Sequence, residues 1–284
     1  MRLSVVTVTY KTDVEELDLF IKSFMKYNDL KSEANLIIID NSPSDYLEVR
    51  DLVINFYKKS VVYIQNPSNP GFGASNNIGF LYQNSDYVLF INNDVEFTEP
   101  VFHKIISKME TDSSIGCIGI HQTGGAPSFF VKMTAPKGVQ MECFDDRVHF
   151  ISGAFMFFRS DVFQKIGMFD KNLFMYFEEF DLSERMLKFG YHTKYLPEIT
   201  FLHKVGNRKK INDKIWIKAI PSFCYICRKY ELDPAVYSKG IMKRLKLLFI
   251  YNMLFFHWQE AKKVLDVYKT RQQIIYNEFG IKIK

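Results

Sequence analysis

Glycine and proline are scarce in this chain, 14 and 9 of 284 residues, while 47% of it is hydrophobic. That balance excludes a disordered or low-complexity protein and supplies one large core, or a core with a smaller appendage. Cysteine is scarcer still. Cys117, Cys143, Cys224 and Cys227 are too few and too scattered for a disulfide framework, so a reducing compartment is expected. Cys224 and Cys227 form a C-x-x-C, but within SFCYICRKY they occupy an apolar helical pattern with no second ligand pair nearby. They are expected to be two small core residues, not a metal or redox pair. The longest apolar run, LLFIYNMLFFHW from Leu247 to Trp258, is shorter than the roughly 20 residues that cross a bilayer, so no spanning segment is expected. MRLSVVTVTY is too short and β-branched for a secretory leader and describes a strand. A phosphate-binding glycine turn is also missing after that strand, where TYKTDVEE stands, which argues against a dinucleotide oxidoreductase or a methyltransferase.

Charge is present in both signs but unevenly placed. Residues 1–203 hold 19 Lys and Arg against 26 Asp and Glu, whereas residues 204–284 hold 18 against 6. An acidic body with a basic tail points to a polyanionic partner. The tail's bases are interleaved with long aromatic and aliphatic faces and carry no recognition motif, which favours an anionic membrane surface over nucleic acid.

Through the first 120 residues, apolar stretches alternate with helically spaced ones. LSVVTVTY, NLIIID, VVYIQ, DYVLFI and IGCIGI are predicted strands, and VEELDLFIKSFMKY, SDYLEVRDLVINFYKK, GASNNIGFLYQ and PVFHKIISKME predicted helices. Nearly all-apolar strands separated by helices imply an α/β fold with a mainly parallel sheet covered on both faces. Ligands of such sheets bind beyond the carboxyl ends of the strands. Four successive strand ends are polar: Thr9, Tyr10 and Lys11; Asp40, Asn41 and Ser42; the loop NPSNPGFGASNNIG with Asn69, Gly71, Gly73 and Asn77; and Asn92, Asn93 and Asp94. Burying those last amides and that carboxylate unpaired would cost several kcal/mol, so they are expected to serve something outside the strand.

Further on, Gly153 and Ala154 interrupt a strand, which often marks a close approach. Ser160 is expected to cap the short helix that follows. In FMYFEEFDLSER, Glu178, Glu179 and Asp181 crowd the start of a helix beside an apolar wall. Acids in a first turn suit the helix dipole, and Asp181 with Arg185 makes an i,i+4 pair. The wall also raises a carboxyl toward a general base's range.

The ordered blocks TVTYK, IIIDNS, NPGFGASNNIG, FINNDVE, SGAFMFFR, GMFDKNLFMYFEEFDLSER and HKVG resemble bacterial inverting glycosyltransferases of the GT-A fold, family 2. Among these the chain looks most like rhamnosyltransferases of cell-surface polysaccharide and O-antigen synthesis. The likeness covers about residues 3–230 and implies a Rossmann-like GT-A catalytic domain over 1–210, with a basic helical extension over 211–284.

The resemblance also implies roles. Asp94, the last residue of Asn92-Asn93-Asp94, stands where relatives hold a divalent cation, Mg²⁺ or Mn²⁺, on the donor diphosphate, and His203 matches a histidine closing over the same group. Asp40 and the corner Thr9, Tyr10, Lys11 match positions that hold a pyrimidine base, with Asn69, Gly71, Gly73, Asn77, Asn92 and Asn93 in the donor pocket. Gly153, Ala154 and Arg185 fall near the transferred sugar or acceptor. Glu179 falls on the base position, as Glu where relatives have Asp, with Glu178 and Asp181 as alternatives. The implied donor is dTDP-rhamnose or a UDP-sugar (galactofuranose, glucose or N-acetylglucosamine), and the implied acceptor a polyprenyl-diphosphate-linked glycan. A second copy of the chain is a further expected partner, and the inner face of the plasma membrane the expected location. A non-catalytic nucleotide-sugar-binding scaffold is the competing reading.

Overall fold

The computed structural model describes residues 1–82, 84–124, 129–131, 144–203 and 213–283. Two compact units divide them: one takes in the described residues up to Lys171 and Glu178 onward to 203, the other Asn172–Phe177 and 213–283. The boundary expected at residue 210 and Cys143 lie outside the described residues.

The first unit begins with the expected alternation. β1 (Leu3–Thr9), α1 (Val14–Tyr27), β2 (Ala34–Asp40), α2 (Glu48–Leu52) and β3 (Val61–Gln65) lead to α3 (Phe72–Tyr82) and β4 (Tyr87–Ile91). The segment between α2 and β3 continues as a π-helical turn, Val53–Tyr57. β5 (Val95–Phe97), α4 (Phe102–Glu110), β6 (Ile115–Thr123), β7 (Phe129–Val131), β8 (His149–Ile151), β9 (Phe155–Arg159), α5 (Ser160–Lys165), α6 (Glu178–Lys188) and β10 (His192–His203) complete it.

Eight strands form one sheet in the order β3-β2-β1-β4-β9-β6-β10-β5. β3, β2, β1 and β4 pair in parallel, as do β6 and β10, while β9 and β5 run against their neighbours. β7 and β8 pair antiparallel in a separate two-stranded sheet. Alternation within each strand sends residues to opposite faces. Val5, Leu36, Leu89 and Phe157 pack with Phe20 of α1 and Ile105 of α4, whereas Val6, Ile37, Val88 and Phe158 pack with Phe80 of α3, Phe163 of α5 and Met186 of α6. Both faces are therefore buried, as nearly all-apolar strands require.

Two local expectations change. Gly153 and Ala154 do not lie within one strand but break it into β8 and β9, which join different sheets. Ser160 does not cap α5; it is the first helical residue, and its buried hydroxyl has no hydrogen-bond partner among the described residues.

The second unit contains α7 (Asp213–Lys229), α8 (Pro234–Leu254) and α9 (Trp258–Phe279) around its own core of Ile220, Phe223, Met242, Leu245, Val264 and Ile275. Cys224 and Cys227 are buried in that core as free thiols, and burial pushes them up to about 11 and about 12. They are core residues, as expected.

Candidate active site

The carboxyl ends of β1 and β2 lie side by side, with Thr9 opposite Asp40 in register. Asp40 is fully buried and held on all sides. Its Oδ1 accepts from the Thr9 hydroxyl (3.0 Å), the Ser42 hydroxyl (2.6 Å) and the Ser42 N–H (3.1 Å), and its Oδ2 from the Tyr63 hydroxyl (2.9 Å). Burial and this bond push the Tyr63 phenol well above its ordinary value. A ligand N–H reaching Asp40 must therefore share or displace a protein donor. Beside this knot Lys11 is exposed in a left-handed conformation (φ 47°), its N–H donating to Ser42 Oγ at 2.8 Å, and Tyr10 is exposed.

The third strand end is built differently from what its glycines suggested. Asn69 and Gly71 take φ 42° and 105°, which turns the chain into α3. Within α3, Gly73 has no room for a side chain, since a Cβ there would stand 2.8 Å from Phe169 Cβ. The Asn77 amide is occupied by the same residue, donating to Phe169 O (2.9 Å) and accepting from Phe169 N–H (3.1 Å). Gly73 and Asn77, expected toward the nucleotide, thus fix the segment after α5 to α3. Buried Asn41 meanwhile exchanges hydrogen bonds with Ser75 (2.8 and 3.0 Å) and accepts one from Asn66 (2.8 Å), tying the second strand end to the third.

Asn92, Asn93 and Asp94 form the turn from β4 into β5. β5 pairs antiparallel with β10 so that Val95 faces His203, and this register brings the neighbouring Asp94 to it. Asp94 Oδ1 lies 3.1 Å from His203 Nε2. Asp94 is a third exposed and His203 almost closed off, with side-chain exposures of 33% and 8%. His203 Nδ1 is buried without a hydrogen-bond partner among the described residues. Asp94 Oδ1 beside His203 Nε2 sets one oxygen and one nitrogen donor together, a pair that a divalent cation such as Mn²⁺ accepts. No group of three or more His, Cys, Asp or Glu able to hold a metal occurs among the described residues.

The same turn reaches the acidic helix. Asn92 N–H donates to Ala154 O (3.2 Å), and the adjacent Gly153 N–H donates to Glu179 Oε1 (2.9 Å). A Cβ on residue 153 would stand 2.3 Å from that oxygen, so the interruption read in the sequence makes room for a carboxylate. The three acids of α6 then separate by environment. Asp181 is fully buried and ion-paired with Arg185 at 2.6 Å, and Arg185 also donates to Ile166 O. Glu178 is buried at 3% exposure. Glu179 is half-buried, and desolvation raises its pKa above the usual carboxyl value against the lowering effect of its backbone hydrogen bonds, Gly153 N–H among them. Of the three, Glu179 is the one that is not fully enclosed and whose carboxyl is raised by desolvation. Just before α6, Tyr176 and Phe177 both take positive φ, 70° and 74°, an uncommon strain for bulky residues.

Sequence reasoning missed Tyr63, Asn66 and Ser75. Tyr63 is two residues from Gln65, the register partner of Asp40, so strand pairing was the signal that pointed to it.

A family model, Glycosyl transferase family 2, matches residues 4–167. The chain is 25% identical over 203 residues to the low-salt glycan biosynthesis hexosyltransferase Agl10 of Haloferax volcanii, covering 64% of this chain and 61% of that protein. It is 34% identical over 70 residues to N-acetylglucosaminyl-diphospho-decaprenol L-rhamnosyltransferase of Mycobacterium tuberculosis, covering 25% and 23%. In structure it is similar to the mannosyltransferase PcManGT of Pyrobaculum calidifontis in complex with GDP-Man and Mn²⁺, with TM-score 0.60, 11% identity, and 94% and 73% of the two chains covered. The sheet and its flanking helices are thus those of the GT-A fold, and the chain spans about three fifths of the archaeal hexosyltransferase's length.

Proposed function

This chain belongs to glycosyl transferase family 2, and from that membership we propose that it moves a sugar from a nucleotide-sugar onto a glycan by inverting single displacement. The observation that carries the proposal is the bridge Asn92–Ala154, Gly153–Glu179, which links a raised-pKa carboxyl to the turn that carries Asp94, itself 3.1 Å from His203 at the end of β10.

In this reading, Glu179 accepts the proton of the acceptor hydroxyl as that oxygen attacks the anomeric carbon from the face opposite the leaving diphosphate. Gly153 N–H fixes the carboxylate during the transfer, and the raised pKa brings it toward the range in which a general base works. Asp181 and Arg185 act by holding α6 in place. Asp94 and His203 would hold a divalent cation, Mg²⁺ or Mn²⁺, which when bound neutralises charge on the diphosphate. Thr9, Tyr10, Lys11 and Asp40 line the base end of the donor pocket, with Asn92 and Asn93 toward the sugar.

Rhamnose from dTDP-rhamnose is the donor proposed, on the strength of the mycobacterial relative's name, and that name also supports a polyprenyl-diphosphate-linked acceptor. The Mn²⁺ in the archaeal neighbour supports the cation.

The test is a melting-temperature screen of the purified chain against dTDP-rhamnose, UDP-sugars and GDP-sugars, each with and without Mn²⁺, since a ligand bound only by the folded state raises the midpoint. Stabilisation by dTDP-rhamnose that needs Mn²⁺, and that Asp94→Ala abolishes, is expected. Stabilisation by a UDP-sugar instead replaces the donor. Tight Mn²⁺-stimulated binding retained by Asp94→Ala overturns the cation hold, and donor binding with no transfer to any lipid-linked acceptor leaves the scaffold reading.

A further inference from the structure

α8 ends in an uncovered apolar tip. Its inner face, with Met242 and Leu245, packs into the core of the second unit. Its outer face presents Leu247, Ile250, Tyr251 and Leu254, a spacing that puts them on one stripe, and the chain then turns through Phe255 and Phe256 to Trp258, the first residue of α9. Leu254, Phe256 and Trp258 keep 69%, 74% and 56% of their surface exposed. From Leu247 to Gln259 there is no Asp, Glu, Lys or Arg.

The tip is shaped without any cover. Tyr251 and Phe255 rings pack 4.6 Å apart and Phe256 and Trp258 6.0 Å apart. Phe256 takes φ 57°, a left-handed conformation for which glycine is the usual choice, so the turn holds an exposed aromatic ring in a backbone geometry unfavourable to it.

Behind the tip the charge is of one sign. Lys239, Lys243, Arg244 and Lys246 precede it on α8, and no acid occurs from Pro234 to Gln259. At 1.5 Å per residue, Leu254 lies about 15 Å along the helix beyond Arg244, so a helix inclined about 20–40° to the membrane plane keeps Arg244 at phosphate level and sets Leu254 about 5–10 Å deeper, in the headgroup–acyl boundary. No helix is long and apolar enough to cross a membrane among the described residues, which confines such a contact to one leaflet.

We propose that the α8–α9 corner is a lipid-inserting tip that places Tyr251, Leu254, Phe255, Phe256 and Trp258 in the interface of an anionic bilayer and Lys243, Arg244 and Lys246 at its phosphates. Aromatic rings at the boundary and bases at the headgroups match the layering of that interface. A two-fold copy of the chain fits less well, because the same segment of a second copy offers no acid from Pro234 to Gln259 to answer the bases behind the tip. The inference stands on the second unit's residues and is independent of the transfer reaction.

The test uses the full chain carrying Trp216→Phe, which leaves Trp258 as the sole tryptophan. It is mixed with phosphatidylcholine vesicles, with and without phosphatidylglycerol, and with vesicles whose acyl chains carry bromine. Cosedimentation with the anionic vesicles, a blue shift of Trp258 emission and quenching by acyl bromine are expected. Phe255→Ser with Phe256→Ser, both exposed and so harmless to the core, should lower partitioning roughly tenfold or more. Binding without acyl quenching overturns insertion in favour of surface charge alone. No binding, together with a dimer that Phe255→Ser and Phe256→Ser convert to monomer, overturns it in favour of a second copy. Neither nucleotide nor turnover enters this assay, so its failure is distinct from failure of the transfer reading.

Discussion

Glu179 is subject to two opposed effects: desolvation raises its pKa, and its backbone hydrogen bonds, Gly153 N–H among them, lower it, with desolvation the larger. A carboxyl whose folded pKa exceeds its unfolded one stabilises the fold fully below the unfolded pKa and loses that contribution as pH rises through the folded pKa. Ionised Glu179 therefore weakens the fold at neutral pH, as groups arranged for chemistry often do. Glu179→Gln keeps an acceptor for Gly153 N–H and removes the ionisation. It is expected to melt at or above the wild-type temperature at pH 7.5, with the difference closing near pH 4, while turnover falls roughly 10²–10⁴-fold and donor affinity holds. Scanning calorimetry across pH and initial rates check both. If Glu178→Gln abolishes turnover and Glu179→Gln does not, the base is one residue earlier. Turnover of the wild type should rise with pH along an acid limb displaced above the ordinary carboxyl range. Gly153→Ala separates position from identity. The three atoms nearest the new Cβ all belong to the Glu179 side chain, so the fold should survive, yet a carboxylate displaced by about an ångström should lose on the order of 10²-fold in kcat, read from steady-state rates beside an unchanged melting point.

At the scale of elements, α3 shows where a sequence reading succeeds and where it stops. Its helix was legible, because apolar residues recur at helical spacing through GASNNIGFLYQ. The purpose of its glycines was not, because it depends on what lies across the fold. Gly79 packs against the sheet so closely that a Cβ would stand 2.4 Å from Val6 Cγ1. Gly79→Ala should therefore cost about 1–3 kcal/mol through overpacking, and appear as a lowered denaturation midpoint with kcat near wild type; an unchanged midpoint shows that α3 shifts freely on β1. The parallel strands β1 to β4 were likewise legible from their all-apolar runs. The insertion of β9 between β4 and β6, and the pairing of β5 with β10, were not, since antiparallel partners far apart in sequence leave no local periodicity. That pairing is what brings Asp94 to His203, so the residues of the site were readable one by one, whereas their contact was a property of register. The Gly153–Glu179 bond is of the same kind: a glycine predicted a close approach, and only the fold supplied the carboxyl.

At the scale of the molecule, the uneven charge seen in the sequence corresponds to two separately cored units. Residues 1–203 carry 26 acids and the unit with the candidate site, while the 18 bases of residues 204–284 lie largely on helices packed around Phe223, Leu245 and Ile275. Each unit buries its own apolar cluster, so unfolding is expected in more than one step, as is usual for chains with more than one core. A donor nucleotide with Mn²⁺ binds, in the reading proposed, to groups of the first unit alone. It should raise the transition of that unit by RT ln(1 + [L]/Kd), while the helical unit's transition moves little. Scanning calorimetry with increasing dTDP and Mn²⁺ distinguishes the cases. One transition that moves as a whole means that the two cores unfold together, and a rise of the helical unit's transition in place of the first unit's places the nucleotide somewhere other than the strand ends. With two transitions resolved, anionic vesicles become the complementary ligand, expected to act on the helical unit through Trp258 and its neighbours and to leave the nucleotide-sensitive step where it was.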